Sequence, residues 1–591
     1  MSPRIRQATE VCLQKGSEAK KKKSRLREKY IRHRPACFEE WKVFQCQKNF
    51  KNSEKYSPRT RNMKRILDVQ LFFTVILCLL VSGFAAGHNY YRAAVLETVR
   101  FSDVSRPPKE VVKRNLDIYE AAVKTASENE VDIIVFPECG IYPAEKVGRS
   151  VLRTFVEDIP DPKKGSINPC SQTDKFRNHP ILTKLSCLAK EHNIYIVANT
   201  VDFKKCKVAD TCDADGIDTC TSEESKCPSD GNYFYNTNIV FDRKGTLVSR
   251  YYKKHLYFEK SVDMPDFPQD ATFHTDFGNF TTVICFDLIF KESVEDVKKP
   301  GIVNLAYPTY WYDHVPFVFF STPYQQAWAL TNKVNLLAAN GHMPKTGTVG
   351  SGIYSAHRGA LVYTHNPDFR TKLLISNVPR SVSKESANSV ELNVKKFFLE
   401  SGAAIEVVGE EERNFKSECT TNVLGEAKDT MDSYRCKHSP LDDYEFFKLE
   451  GDEGTQEICS NGFCCSLSYQ AHSMDEDYFL AVSGKPLTYY DTFLYGIQSC
   501  FLARCRSLDG HPCKQFGLKS RTVFQKVDLK ANFTTRHIYP FALDSDVRLT
   551  NKRNWSFDGK SQIHYENLGK KSSLTFFGLH GRLYDDDKLL T

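Results

Sequence analysis

Apolar and polar positions change rhythm repeatedly along the chain. Tyr91 to Val99 is an apolar, β-branched stretch that predicts a strand. After Pro107-Pro108, the residues Val112, Leu116, Tyr119 and Val123 share the spacing of one helical face. Val131 to Phe136 predicts a second strand, ending at Pro137-Glu138. Ile181, Leu185 and Leu188 mark another helical face, leading into a strand from Ile194 to Asn199. Residues 201–231 are polar and cysteine-rich and read as a stapled surface loop. Asn236 to Phe241 and Thr246 to Tyr252 predict a β-hairpin that ends at Lys253-Lys254. Thr281 to Ile284 then climbs to Cys285, and a helical segment from Lys291 to Lys299 follows. A strand (Ile302 to Tyr307), a helix (Phe317 to Val334) and a strand (Leu336 to Ala339) come next. Gly350-Ser351-Gly352 precedes two more strands, Ala360 to Thr364 and Lys372 to Ser376.

Strands alternating with helices predict an α/β domain over residues 88–380. Residues 381–440 are polar and mixed, with the acidic run Glu410 to Glu412, and are expected to be a linker or covering segment. Over 441–591, short aromatic-rich strands predict a second, β-rich domain; they run from Tyr478 to Val482, Thr492 to Phe501 and Ser573 to Leu583.

The chain before residue 88 reads differently. Met63-Lys64-Arg65, the apolar run Leu71 to Val81 and the small-residue exit Ser82 to Gly87 fit a secretory signal peptide. An uncleaved signal anchor is the alternative, although the run is short against the roughly 20 residues of a membrane span. Both readings put the body on the lumenal or extracellular side. Residues 1–62 read as a basic extension, expected to be disordered, or as a gene-model artefact. The C-terminal residues lack the hydrophobic tail of a GPI signal. A soluble secreted product is therefore expected, membrane-bound only if 63–87 are retained.

Composition sharpens this picture. At 591 residues, 41% hydrophobic and 26% charged, the chain is too long for one core. The net charge of +8 is misleading: residues 1–62 hold 18 Lys/Arg against 6 Asp/Glu, which leaves the remainder acidic. With no recognition module beside the basic leader, a nucleic-acid partner is not expected. Sixteen of the 20 cysteines follow residue 87, a density suited to an oxidising compartment. No CxxC pair or histidine spacing accompanies them, so neither a metal nor a cofactor is expected. Asn279, Asn532 and Asn554 head glycosylation sequons, Asn279 doubtfully because it adjoins the Cys285 strand.

Three polar residues, Glu138, Lys253 and Cys285, each end a separate apolar strand. Strand C-terminal ends are where α/β folds gather ligand-binding groups. Together they suffice for acyl transfer: a thiol nucleophile, a carboxylate base and an ammonium facing the developing oxyanion. A cysteine at a strand-to-helix turn is also expected to lean towards thiolate, because helix N-termini carry partial positive charge.

Val135-Phe136-Pro137-Glu138, Arg250-Tyr251-Tyr252-Lys253 and Ile284-Cys285-Phe286-Asp287 resemble the Glu, Lys and Cys motifs of the carbon–nitrogen hydrolase (nitrilase) superfamily. The flanks narrow the resemblance to the branch that contains biotinidase and the vanins (pantetheinases). They include Asn115 to Glu120, Val156 to Pro162, Tyr235-Asn236-Thr237-Asn238, Leu256 to Glu259, Gly350 to Tyr354, Cys459 to Cys465 and Gly581-Arg582-Leu583-Tyr584. The resemblance spans roughly residues 90–585. It implies an αββα nitrilase-type sandwich with a β-rich base domain, with Glu138 as base, Lys253 as electrostatic stabiliser and Cys285 as nucleophile. It also implies that Glu259 positions substrate and lysine. The segment 307–316 would line the substrate side, where Trp311 either packs on the acyl chain or is an ordinary core residue. His314 reads as a loop residue rather than a base.

The substrate implied is a small amide: pantetheine first, with biocytin or a biotinyl peptide as runner-up. A non-catalytic secreted binding protein on the same fold is the competing class. Cys139, beside the base, is read as an inert buried thiol, with redox coupling to Cys285 as the alternative. If both stay reduced, 14 cysteines remain for disulfides.

Overall fold

The computed structural model describes residues 88–590, apart from 144–146, 207–226, 401, 410–436, 439–440, 490–491, 509 and 570–571. The expectations for 1–62 and 63–87 lie outside the described residues, as do Glu410 to Glu412 and Cys212, Cys220, Cys419 and Cys436.

Alternation along β1 (Tyr90–Glu97) sets the layering of the first domain. Tyr91, Ala93 and Val95 enter one buried cluster, while Ala94 and Leu96 enter another. A strand covered on both faces reads as a continuous apolar run for this reason. Next come α1 (Pro108–Glu128), β2 (Ile133–Val135), α2 (Pro180–Glu191), β3 (Tyr195–Lys205), β4 (Asn232–Phe241) and β5 (Leu247–Tyr252). The second half holds β6 (Phe273–Thr275), β7 (Gly278–Thr282), α3 (Lys291–Val297), β8 (Ile302–Thr309), β9 (His314–Val315) and α4 (Ser321–Asn332). It continues with β10 (Asn335–Asn340), β11 (Ser351–Ser355), β12 (Gly359–Thr364) and β13 (Thr371–Pro379).

Two sheets result. The first runs β15-β14-β13-β1-β2-β3-β4-β5, where β14 is Val394–Glu400 and β15 is Ala403–Glu406. The second runs β12-β11-β10-β8-β7-β6. Their facing sides share one core, in which Val95, Val135 and Val197 meet Phe280, Ala306 and Leu337. The amphipathic faces of α1 and α2 cover the outside of the first sheet. The second sheet's outer face packs on α4 and on the β-rich domain. The layers are α, β, β, α, as the resemblance implies.

Three local expectations change. Residues 384–406 are not a simple linker: after a short helix, α5 (Lys384–Ser389), β14 pairs antiparallel with β13 and β15 with β14, which prolongs the first sheet. The mixed polarity there reflects edge strands, exposed on one side. The helix expected from Phe317 starts only at Ser321, because Phe320 is extended and the buried Asp313 accepts the Ser321 N–H at 2.7 Å. The cysteine-rich loop begins later than expected, because β3 continues to Lys205.

The β-rich domain is built of antiparallel sheets. The strands Tyr478–Ser483, Ile497–Leu508, Leu574–Arg582 and Ile538–Asp544 lie side by side in one of them. Disulfides join Cys459 to Cys464, Cys465 to Cys500 and Cys505 to Cys513 here, and Cys170 to Cys187 and Cys206 to Cys227 in the first domain. Cys139 and Cys285 stay reduced and buried. Among the described residues, no helix is long and apolar enough to cross a membrane.

Candidate active site

Glu138 lies just beyond β2, Lys253 just beyond β5 and Cys285 just beyond β7. The first two belong to one sheet and the third to the other, so the site sits where the two sheets meet. Lys253 is 1% exposed and Glu138 2%. Lys253 Nζ donates to Glu138 Oε1 at 2.7 Å and also to Glu259 Oε1. An ammonium so buried is tolerated only when it is paired. Glu259 is half-buried on the loop after β5.

The turn carrying Cys285 is strained. Cys285 has φ +45°, a left-handed conformation that costs a β-carbon-bearing residue about 1–3 kcal/mol. Its neighbours hold it there. Tyr307 Oη donates to the Cys285 carbonyl at 2.8 Å, and the Thr309 hydroxyl and the Tyr310 N–H bond to the thiol. Asp287, buried two residues on, accepts the Ile284 N–H at 3.1 Å and the Tyr251 hydroxyl at 2.9 Å. It also accepts the N–H groups of Lys254 at 3.2 Å and His255 at 2.8 Å.

The electrostatics correct one expectation. Burial pushes the Cys285 thiol well up, Glu138 adds to this and Lys253 opposes it. The resting residue is a neutral thiol, not a thiolate. The 3-10 turn Cys285–Ile289 is short, and the apolar surroundings outweigh the partial charge of its first N–H groups. Burial also raises Glu138, against Lys253 and with the help of Glu259. Burial alone would depress the Lys253 ammonium, but Glu138 and Glu259 together hold it well above its ordinary value. A raised carboxylate beside a neutral thiol is suited to receive its proton.

Sequence reasoning missed a set of asparagines. Asn236 Nδ2 donates to Glu138 Oε1 at 2.8 Å and to Glu259 Oε2 at 2.9 Å. Asn199 Nδ2 donates to Asn236 Oδ1 at 2.7 Å, and Asn199 Oδ1 accepts the Cys139 N–H at 2.9 Å. Asparagine at a fully buried strand position, as in Tyr235-Asn236-Thr237-Asn238, is the signal that could have found them, since buried amides must be bonded. Cys139 has φ +54° and its Sγ lies 3.4 Å from Tyr142 Oη.

A small cavity of about 40 Å³ opens beside Cys285. Tyr257, Phe286, Ile289, Trp311, Phe319 and Tyr495 are among its lining residues. Trp311 is a buried core residue that also borders the cavity. It stacks on Tyr324 with ring centroids 5.5 Å apart and donates Nε1–H to the Phe319 carbonyl at 2.8 Å, and its ring also lines the cavity. His314 is not a loop residue: it lies on β9, buried, and lines the same cavity. Of the sequons, Asn532 is exposed and Asn554 partly so, whereas Asn279 lies on β7 with its Oδ1 2.9 Å from His274 Nδ1.

The chain matches the family described as Carbon-nitrogen hydrolase over residues 105–381 and that described as Vanin C-terminal domain over 434–587. It is 32% identical to the pantetheinase of Sus scrofa over 521 residues, covering 88% of this chain and 92% of that protein. It is 30% identical to the biotinidase of Bos taurus over 488 residues, covering 81% and 88%. An amidase from Nesterenkonia sp. shares 20% identity over 49% of this chain and 91% of its own, with a TM-score of 0.33. On the strength of the two family matches and the full-length likeness to pantetheinase, this chain belongs to the carbon–nitrogen hydrolases that carry a vanin C-terminal domain, and it hydrolyses carbon–nitrogen amide bonds.

Proposed function

We propose that the enzyme cleaves a linear amide through a thioester on Cys285. Glu138 takes the thiol proton as sulfur attacks the amide carbonyl carbon. Lys253 faces the negative charge that develops on the carbonyl oxygen, in a site dry enough for that charge to count. The C–N bond breaks as Glu138 returns the proton to the departing amine. Water then attacks the thioester, with Glu138 again taking a proton, and the carboxylic acid leaves with the thiol restored. Glu259 keeps Lys253 charged and placed.

The observation that carries this reading is the buried contact of Lys253 Nζ with Glu138 Oε1 at 2.7 Å, both close enough to the reduced Cys285 to act on its thiol. The substrate we propose is pantetheine, giving pantothenate and cysteamine, because the likeness to a pantetheinase covers most of both chains. Biocytin, giving biotin and lysine, is the second reading, supported by the likeness to a biotinidase at 30% identity. We further propose secretion through the ER, with N-glycans on Asn532 and Asn554. Five disulfides among the described residues support an oxidising compartment. No cofactor enters the scheme.

Purified protein incubated with each substrate tests it. Cysteamine release by the wild type and none by Cys285→Ala is the expected result. Biotin release instead moves the specificity to the second reading. Turnover that persists in Cys285→Ala overturns the mechanism.

A further inference from the structure

The hydrolase domain does not close its own cavity. Tyr495, on the strand Phe493–Tyr495 of the β-rich domain, lines the same space as Cys285 and Trp311. It is 5% exposed. Phe493, on the same strand, packs edge-on against Phe286 with centroids 5.7 Å apart and against Phe290 at 6.0 Å. Behind them stands Arg582, 2% exposed, its guanidinium carbon 5.0 Å from the Tyr495 ring centroid. Arg582 donates to the Gly496 carbonyl at 2.7 Å, to Asp587 Oδ2 at 2.7 Å and to the Ile289 carbonyl at 3.3 Å. Ile289 ends the turn that begins at Cys285. One buried cation therefore ties the strand of Tyr495 to the turn of the nucleophile.

The wall so formed has a definite chemistry. Among the described residues lining the cavity, none is a carboxylate, a lysine or an arginine, and most are aromatic. A charged group entering there would lose its hydration and, apart from the His314 imidazole, would meet only uncharged side chains. An uncharged flat or branched group would instead pack on ring faces, which aromatic side chains favour. We propose that the β-rich domain supplies the specificity wall of the active site. In this arrangement Tyr495 selects amides whose group beside the scissile bond is uncharged and apolar. The inference rests on Cys285 being the reactive thiol.

The test uses the full-length protein and three alkylating probes: 2-chloroacetamide, its N-benzyl derivative and its N-carboxymethyl derivative. Alkylation of Cys285 is followed by peptide mass, with Cys285→Ala as the blank. In the wild type the N-benzyl probe should label at least about ten-fold faster than the N-carboxymethyl probe. That preference should fall about ten-fold in Tyr495→Ala and stay within about two-fold in Tyr495→Phe, which keeps the ring. Should Tyr495→Ala not fold, Tyr495→Leu removes the ring face while filling the space, and the same fall is expected. An unchanged preference in the ring-less variant, with plain 2-chloroacetamide still labelling Cys285, overturns the wall. Absence of labelling by all three probes overturns both the wall and the reactive thiol. A preserved preference together with no hydrolysis of pantetheine or biocytin retires the proposed substrates and leaves the wall standing.

Discussion

Asp287 holds the backbone N–H of His255 at 2.8 Å, so a carboxylate two residues past Cys285 clamps the loop that carries Lys253. The two strands concerned belong to different sheets, and this carboxylate fixes their ends to each other. Asp287→Asn keeps the shape but loses the charge that gathers four donors. The expected outcome is a fall in kcat of about 10²-fold with a smaller change in KM, because small misplacements of reacting groups carry costs of that size. Steady-state kinetics on the substrate that turns over will check it. A kcat within two-fold of wild type would mean that the clamp is dispensable.

Glu138 is pushed up by burial and by Glu259. In its proposed role as base it must be ionised, so activity should fall as pH drops through its raised value. The acid limb of the kcat/KM profile is therefore expected above the ordinary carboxylate range. The Cys285 thiol is raised as well, so alkylation of Cys285 in Glu138→Gln should show no inflection below the ordinary thiol range. An acid limb at an ordinary carboxylate value would argue against a buried base.

Asn236 is the amide shared by Glu138 and Glu259. Asn236→Asp would put a third carboxylate between them, and like charges in one site raise each other. The acid limb should move to higher pH, with kcat reduced. Asn236→Ala should reduce kcat without that movement. Comparing the two pH profiles separates a charge effect from a loss of positioning.

Arg582 bonds Gly496, Ile289 and Asp587 from a buried position. Arg582→Gln leaves Asp587 without its cation, and breaking a buried pair in this way costs about 3–5 kcal/mol. Chemical denaturation should show a loss of that order, with Arg582→Lys falling between. The same comparison reports on coupling between the domains: two separate transitions in the variant, where wild type has one, would show that Arg582 joins them.

His580 lies fully buried, with Nδ1 2.7 Å from Ser499 Oγ, and burial lowers its pKa to about 3 from an ordinary 6.5. A histidine lowered in this way contributes stability above about pH 6.5 that is lost as pH falls towards the folded value. The slope approaches about 1.4 kcal/mol per pH unit. His580→Gln should flatten the dependence of Tm on pH between 6.5 and 4. An equal slope in wild type and variant would place the acid sensitivity elsewhere.

Glu138, Lys253 and Cys285 are legible one at a time, because each ends an apolar run and strand ends are local features. The hairpin before Lys253 and the helices α1 and α2 are legible for the same reason, since periods of 2.0 and 3.6 are written in near neighbours. Asn236 is different. Its value comes from β4 lying beside β3, which brings it to Asn199. The neutrality of the Cys285 thiol is also hidden from local reading: the strand-to-helix turn points to thiolate, and only the cluster that buries the turn reverses it. Residues 384–406 look like a linker until β13 offers an edge to pair with. Tyr495 lies farthest from any local signal, on a separate domain, and comes to line the cavity beside Cys285 through the packing of Phe493 and the reach of Arg582. Sequence by itself determined which groups are candidates for the chemistry and which elements carry them. Tertiary structure alone decided how burial shifts them, what holds them and which residues line the cavity beside them, because burial and long-range pairing depend on neighbours that the local pattern does not name.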